Sequence, residues 1–186
     1  DEAHSFFLLL DGFVRLARTT PQGDLVVLHH VTPGNLFGIT KATERESYSV
    51  TARAATDCLA LSWPVEHWDK VSAHSPDFGI AVRRTLGARM AEMAARLVEM
   101  ATRSVKQRIA LSLLRLADQA GQQNAQGLTV AFPVTRQDIS DMTGANMHSV
   151  SRVMSEWHKA GIVLSRRKTV TVVRPERLAE ISLGPV

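Results

Sequence analysis

From Asp77 to about Met100 no proline interrupts a run of helix-favouring residues, and Leu86, Met90, Met93, Leu97 and Met100 recur at steps of 4, 3, 4 and 3. That spacing is a coiled-coil seam, narrower than the apolar stripe of an ordinary surface helix. Ser75-Pro76-Asp77 supplies the start, because Pro is tolerated at the first helical position where its missing N–H costs nothing. Arg83, Arg84, Arg89, Glu92, Arg96 and Glu99 are expected to keep the other faces polar. A helix this long with so thin a stripe must bury it, either against the chain's own β domain or against a second copy. A two-fold mate is the economical solution.

Before this helix the chain has a different texture. Phe6–Leu10 stops at Asp11-Gly12, Phe13–Arg18 at Thr19-Thr20-Pro21-Gln22-Gly23, and Leu25–Val31 at Pro33-Gly34, with further runs at Tyr48–Ala54 and Cys58–Trp63. Short strands punctuated by Gly and Pro about every ten residues predict a small antiparallel barrel or sandwich. In the Tyr48 run, Tyr48, Val50 and Ala52 share one face and Ser49, Thr51 and Arg53 the other, as in a half-buried strand. Pro64 closes this part, and a short helix is expected over Val65–Ser72.

Charge and cysteine content narrow the function classes. Residues 1–100 carry 10 Lys/Arg against 12 Asp/Glu, while residues 101–186 carry 12 against 6. A basic half joined to a near-neutral one suits a polyanion, nucleic acid above all. Cys58 is the sole cysteine, which excludes an internal disulfide framework and any four-cysteine metal or iron–sulfur site in this chain, and points to a reducing cytoplasm. No apolar stretch is long enough for a membrane span. The chain begins Asp1-Glu2-Ala3-His4, without an initiator Met or a basic signal-peptide start, and is expected to lack an N-terminal piece. The seven histidines are scattered, and no Ser/His/Asp, metal-helix or phosphate-loop motif suggests an enzyme. A ligand-binding signalling module with an incidental basic tail is the remaining alternative.

The second half carries the most specific pattern. A helix with Val105, Ile109, Leu113 and Leu116 on one face closes at Ala120-Gly121, followed by a polar loop at Gln122–Gln126 and a strand at Leu128–Phe132. Thr135 with Asp138 three residues on reads as a capping box that opens a short helix with Ile139 and Met142 inward. Thr143-Gly144 breaks that helix. Asn146 caps the next, whose buried face is Val150, Val153, Met154 and Trp157, and Gly161 ends it. Two short helices about a glycine turn are a helix-turn-helix, and its second helix enters the major groove. Strands Ile162–Ser165 and Thr169–Val173 about Arg166-Arg167-Lys168 add a basic wing suited to phosphates. The first turn of the reading helix points Met147, His148 and Ser149 at base edges, with Arg152 one turn on and suited to a bidentate contact with guanine. Thr135, Arg136, Gln137 and Asn146 sit at helix starts and are expected to touch backbone phosphates.

The runs Thr135-Arg136-Gln137-Asp138-Ile139, Val150-Ser151-Arg152 and Gln107-Arg108-Ile109-Ala110 resemble the Crp/Fnr family of bacterial transcription regulators. So do Phe7-Leu8-Leu9-Leu10-Asp11-Gly12, Pro33-Gly34, Leu36-Phe37-Gly38 and Arg53-Ala54 in the first half. The resemblance covers nearly the whole chain. It implies an α+β architecture: an N-terminal antiparallel β-roll (jelly-roll-like) sensor over 1–76, a dimerisation helix over 77–101 and a C-terminal winged helix-turn-helix over 102–186. The implied partners are double-stranded DNA with a palindromic operator, a second copy of the chain, and RNA polymerase as a further candidate. Two departures bear on the effector. Where cyclic-nucleotide-binding members have Glu after the glycine matching Gly38, this chain has Ile39, and Tyr48-Ser49 stand in place of their phosphate-binding Arg–Ser, allowing one deletion. A cyclic phosphate buried without its cation is unfavourable, so cyclic-nucleotide sensing is not expected. The Asn146–Arg152 helix is similar to the branch responding to nitrogen oxides, which implies haem, with His29 and His30 as candidate axial ligands. Adjacent strand residues face opposite ways, so at most one of the pair enters a given pocket. The alternative is a regulator with no small-molecule effector.

Overall fold

A computed structural model describes residues 1–184. They form two compact units, residues 1–19 with 28–94 and residues 20–27 with the described residues from 95 onward, a division that cuts through one strand and the long helix. The first unit holds β1 (Ser5–Asp11), β2 (Val14–Thr19), most of β3 (Leu25–Val31), β4 (Leu36–Phe37), β5 (Thr51–Ala54) and β6 (Leu59–Pro64). They make two three-stranded sheets, ordered β4-β1-β6 and β3-β2-β5. The turn from β1 to β2 requires Gly12. Its φ is +82°, and a Cβ there would fall 2.2 Å from the Asp57 carbonyl oxygen. Two clusters fill the interior. Phe6, Leu36, Ile39, Trp68 and Val82 form one, and Leu9, Val14, Leu16, Val31 and Phe37 the other. Phe6 meets the Trp68 ring edge-on at 5.1 Å, and its complete burial contributes roughly 1.5–3 kcal/mol.

Two expectations for this unit need correcting. The Tyr48 run pairs only over Thr51–Ala54, and Ala52 is exposed along with its neighbours because β5 is an edge strand. Tyr48 instead docks on β1, where its hydroxyl donates to the Ser5 carbonyl at 2.6 Å and accepts from the Ser5 N–H at 3.1 Å. After Pro64 the chain makes a 3₁₀ turn over Val65–His67 before α1 (Trp68–His74), so the expected single helix over Val65–Ser72 is a 3₁₀ turn followed by an α-helix, neither with a side-chain cap.

Helix α2 (Pro76–Thr102) turns the simple polar/apolar assignment around. Arg89, Glu92, Arg96 and Glu99, spaced 3, 4 and 3 apart, all find partners in the protein. In the first unit Arg89 Nη2 donates to the Leu36 carbonyl at 2.6 Å, and the Glu92 carboxylate lies 2.7 Å from His29 Nδ1. In the second, Arg96 Nη1 donates to the Val27 carbonyl at 3.1 Å, and Arg115 grips Glu99 with both guanidinium nitrogens. Met90, Met93, Leu97 and Met100, by contrast, are 56–72% exposed. Leu86 departs from this seam, half-buried against the Phe6 cluster.

In the second unit α3 (Val105–Ala120) starts at a capping box between Ser104 and Gln107 and buries Ile109, Leu113 and Leu116. The segment read as a loop at Gln122–Gln126 is largely strand, β7 (Gly121–Asn124) paired with β8 (Gly127–Val130). Main-chain pairing at a solvent edge needs no apolar side chains, so the polar sequence hides it. Then follow α4 (Arg136–Thr143), α5 (Met147–Lys159), β9 (Val163–Arg166), β10 (Thr169–Val172) and α6 (Pro175–Leu183), with sheet order β7-β8-β10-β9. Helix α6 went unread, although Pro175-Glu176 is a helix-start signal and Leu178 is fully buried. Among the described residues no helix is long and apolar enough to cross a membrane.

Candidate nucleic-acid interface

The helix-turn-helix is rigid because each of its joints is hydrogen-bonded. Thr135 Oγ1 accepts from the Asp138 N–H at 3.0 Å and donates to Asp138 Oδ2 at 2.7 Å, while Oδ2 also receives the Thr135 N–H. Its hydroxyl is thus committed to the cap, a different role from the phosphate contact expected of it. Gly144 ends α4 in the left-handed region at φ +64°. Around it Ser140 Oγ donates to the Ala145 carbonyl, Thr143 Oγ1 to that of Ile139, and Arg108 Nε, from α3, to that of Thr143. Arg108 Nη1 also donates to the Arg103 carbonyl in the link between α2 and α3. The sequence reading missed this clamp, since nothing local marks an arginine whose acceptors lie 35 residues on and 5 back.

Asn146 Oδ1 accepts from the Ser149 N–H at 2.8 Å, so the cap of α5 is as read. Val150, Val153, Met154 and Trp157 are all buried, which fixes the helix's rotation and turns Met147, His148 and Arg152 outward. Ser149 is half-buried. Arg136 lies partly against α5, its Nη2 donating to Ser155 Oγ at 3.3 Å, and Gln137 Nε2 donates to Asp141 at 2.6 Å. Arg166, Arg167 and Lys168 are exposed at the tip between β9 and β10, where Lys168 adopts φ +66° and its carbonyl accepts from the Val134 N–H. Among the described residues none of Arg152, Arg166, Arg167 and Lys168 forms an ion pair. Four uncommitted cations and two helix starts lie within one unit, an arrangement suited to phosphates and base edges.

The first unit contains a cavity of about 700 Å³ whose walls include Phe7, Phe37, Ile39, Thr40, Arg45 and Arg89. Neither His29 nor His30 lines it. His29 is engaged with Glu92, and His30 is 3% exposed. A carboxylate on Nδ1 leaves Nε2 of His29 open to a metal, so what separates both imidazoles from a haem in this cavity is that neither lines it. Ile39 is buried in the wall where a ribose-binding carboxylate would stand, and Tyr48 spends its hydroxyl on β1. Burial lowers the Arg89 pKa from its usual value, with the charge of Glu92 opposing the shift.

Residues 107–181 match the Crp-like helix-turn-helix domain family, and residues 1–75 match the cyclic nucleotide-binding domain family. The transcriptional regulator LdrP of Thermus thermophilus is 30% identical, covering 91% of this chain and 83% of that protein. The CRP-like cAMP-activated global transcriptional regulator of Mycobacterium tuberculosis is 24% identical, covering 93% of this chain and 77% of that protein. Among solved structures, a CRP-family transcriptional regulator from Thermus thermophilus superposes with a TM-score of 0.82 at 28% identity, over 98% of this chain and 89% of that one. FixK2 from Bradyrhizobium japonicum superposes with a TM-score of 0.83 at 19% identity, over 100% and 91%, a likeness of fold.

Proposed function

Because this chain belongs to the Crp/Fnr family of transcription regulators, we propose that it acts as a homodimer reading a near-palindromic operator and that its β-roll takes a small effector. The family relation makes it a helix-turn-helix regulator of transcription rather than an enzyme. In this reading residues 1–76 sense, residues 77–101 pair two copies, and residues 102–186 hold the DNA, in the cytoplasm and within reach of RNA polymerase. The observation that carries it is the outward face of α5, where Met147, His148 and Arg152 are exposed, in the same unit as wing cations that form no ion pair among the described residues. Arg152 reads a guanine, His148 and Met147 touch neighbouring base edges, and Arg136, Gln137 and Asn146 position the helix on the backbone. Half-sites one duplex turn apart, about 34 Å, match two reading heads related by a two-fold axis.

The effector acts by binding one arrangement of the paired helices more tightly than another, which shifts the spacing of the heads. Nitric oxide acting through haem is not part of this proposal, since His29 and His30 do not face the cavity. The test is fluorescence anisotropy with a palindromic duplex selected from a random pool. Arg152→Ala should weaken binding to the selected site by about 10- to 100-fold, corresponding to a bidentate base contact, and flatten preference at one base pair of each half-site. Unchanged base preference in that variant would overturn the assignment of the reader.

A further inference from the structure

The cavity of the first unit is walled by apolar and polar side chains in similar measure, the apolar ones including Leu16, Ile39 and Leu86. Phe7 and Phe37 stack in its wall with ring centroids 4.9 Å apart and planes 15° apart, a flat aromatic surface. Three arginines, Arg18, Arg45 and Arg89, line it against one carboxylate, Asp1. Arg18 and Arg45 are exposed, whereas Arg89 is half-buried, and its Nε has no hydrogen-bond partner. Among the described residues Arg89 forms no ion pair, and a backbone carbonyl is its acceptor. Thr40, only 9% exposed, also lines the cavity with a buried Oγ1 that has no partner in the protein. A partly desolvated guanidinium whose Nε is unpartnered and whose nearest acidic charge, Glu92, only partly offsets its burial, with a buried hydroxyl on the same cavity, is an expensive arrangement unless an acceptor-rich group completes it.

We propose that this cavity binds a small organic anion, its acid group received by Arg89 and Thr40 and its apolar body laid against Phe7 and Phe37. This rests on the reading of the β-roll as the effector unit and gives that effector a chemical class. The acid group is a carboxylate or a phosphate monoester, since both offer the acceptors a guanidinium and a hydroxyl need. A cyclic nucleotide is disfavoured, because the buried Ile39 offers no acceptor for a ribose.

The test uses the intact chain without DNA, so that it fails or succeeds independently of operator binding. Thermal unfolding and calorimetric titration would be run with benzoate, phenyl phosphate, benzyl alcohol and cyclic AMP. Benzoate or phenyl phosphate should raise the Tm saturably, by about 3 °C at 10 mM, and whichever does so identifies the acid group. Benzyl alcohol should not. Arg89→Gln should abolish the rise. Thr40→Val should weaken the anion about tenfold while raising the Tm of the free protein, because it removes an unpaired buried hydroxyl. The proposal is overturned by silence from both anions, by an equal response to benzyl alcohol, or by a cyclic AMP response that survives Arg89→Gln. Should Arg89→Gln not fold, undiminished anion affinity in Thr40→Val overturns it as well.

Discussion

Gly144 shows how one residue sets the angle between the two helices of the reading head. At φ +64° its nearest neighbour for an added Cβ is the Met100 methyl at 3.5 Å, an ordinary contact. Gly144→Ala therefore meets strain but no clash, and should cost about 1–2 kcal/mol, read as a fall in urea midpoint with unchanged slope. The turn was legible in the sequence because a left-handed glycine flanked by capping residues is a local signal. Thr135, Asp138, Asn146 and Gly161 were legible for the same reason. Arg89, Thr40 and Arg108 were not. Their roles arise from what distant segments bring beside them, and no spacing in the chain encodes that. Thr135 is committed through its hydroxyl to the foreseen cap, which leaves its expected phosphate contact to its place at the helix start.

At the scale of elements, the work of binding in the proposed complex with DNA is divided between the wing and α5. Among the described residues the wing tip presents Arg166, Arg167 and Lys168 without an ion-pair partner, so its contribution is expected to be electrostatic and independent of sequence. Replacing all three by Ala should weaken selected and random duplexes alike and lower the slope of log affinity against log salt by about 2–3 per protomer, as three phosphate contacts imply. Arg152→Ala should instead leave most of that slope in place. Element type was readable wherever side chains declare a period, as in α2, α3 and α5. It failed at β7, where exposed glutamines pair through main chain, and at α2's inner face, where charged residues reach backbone carbonyls or acidic and basic partners. Periodicity identifies a helix's faces, yet the partners decide which face turns inward.

For the whole molecule, the exposed row Met90, Met93, Leu97 and Met100 sets the oligomeric expectation. An apolar stripe left exposed is unfavourable in water, and in the proposed dimer a second copy of the same stripe would cover it. In sedimentation velocity at micromolar protein the wild type should run as a dimer and Leu97→Glu as a monomer. The substitution should also remove the rise of Tm with protein concentration that mass action gives a dimer. Leu86→Ala belongs to another class: that side chain packs on the Phe6 cluster, so its loss should lower stability at every concentration.

The clamp of Arg108 has a consequence for how news of an effector travels. One guanidinium holds the carbonyl of Arg103, in the link after the long helix, and the carbonyl of Thr143, at the bend of the reading head. If the proposed effector turns the long helix, twist arriving at the link would be handed to the bend through this one flat group, and the last stretch of the signal would work as a lever whose fidelity is set by two hydrogen bonds.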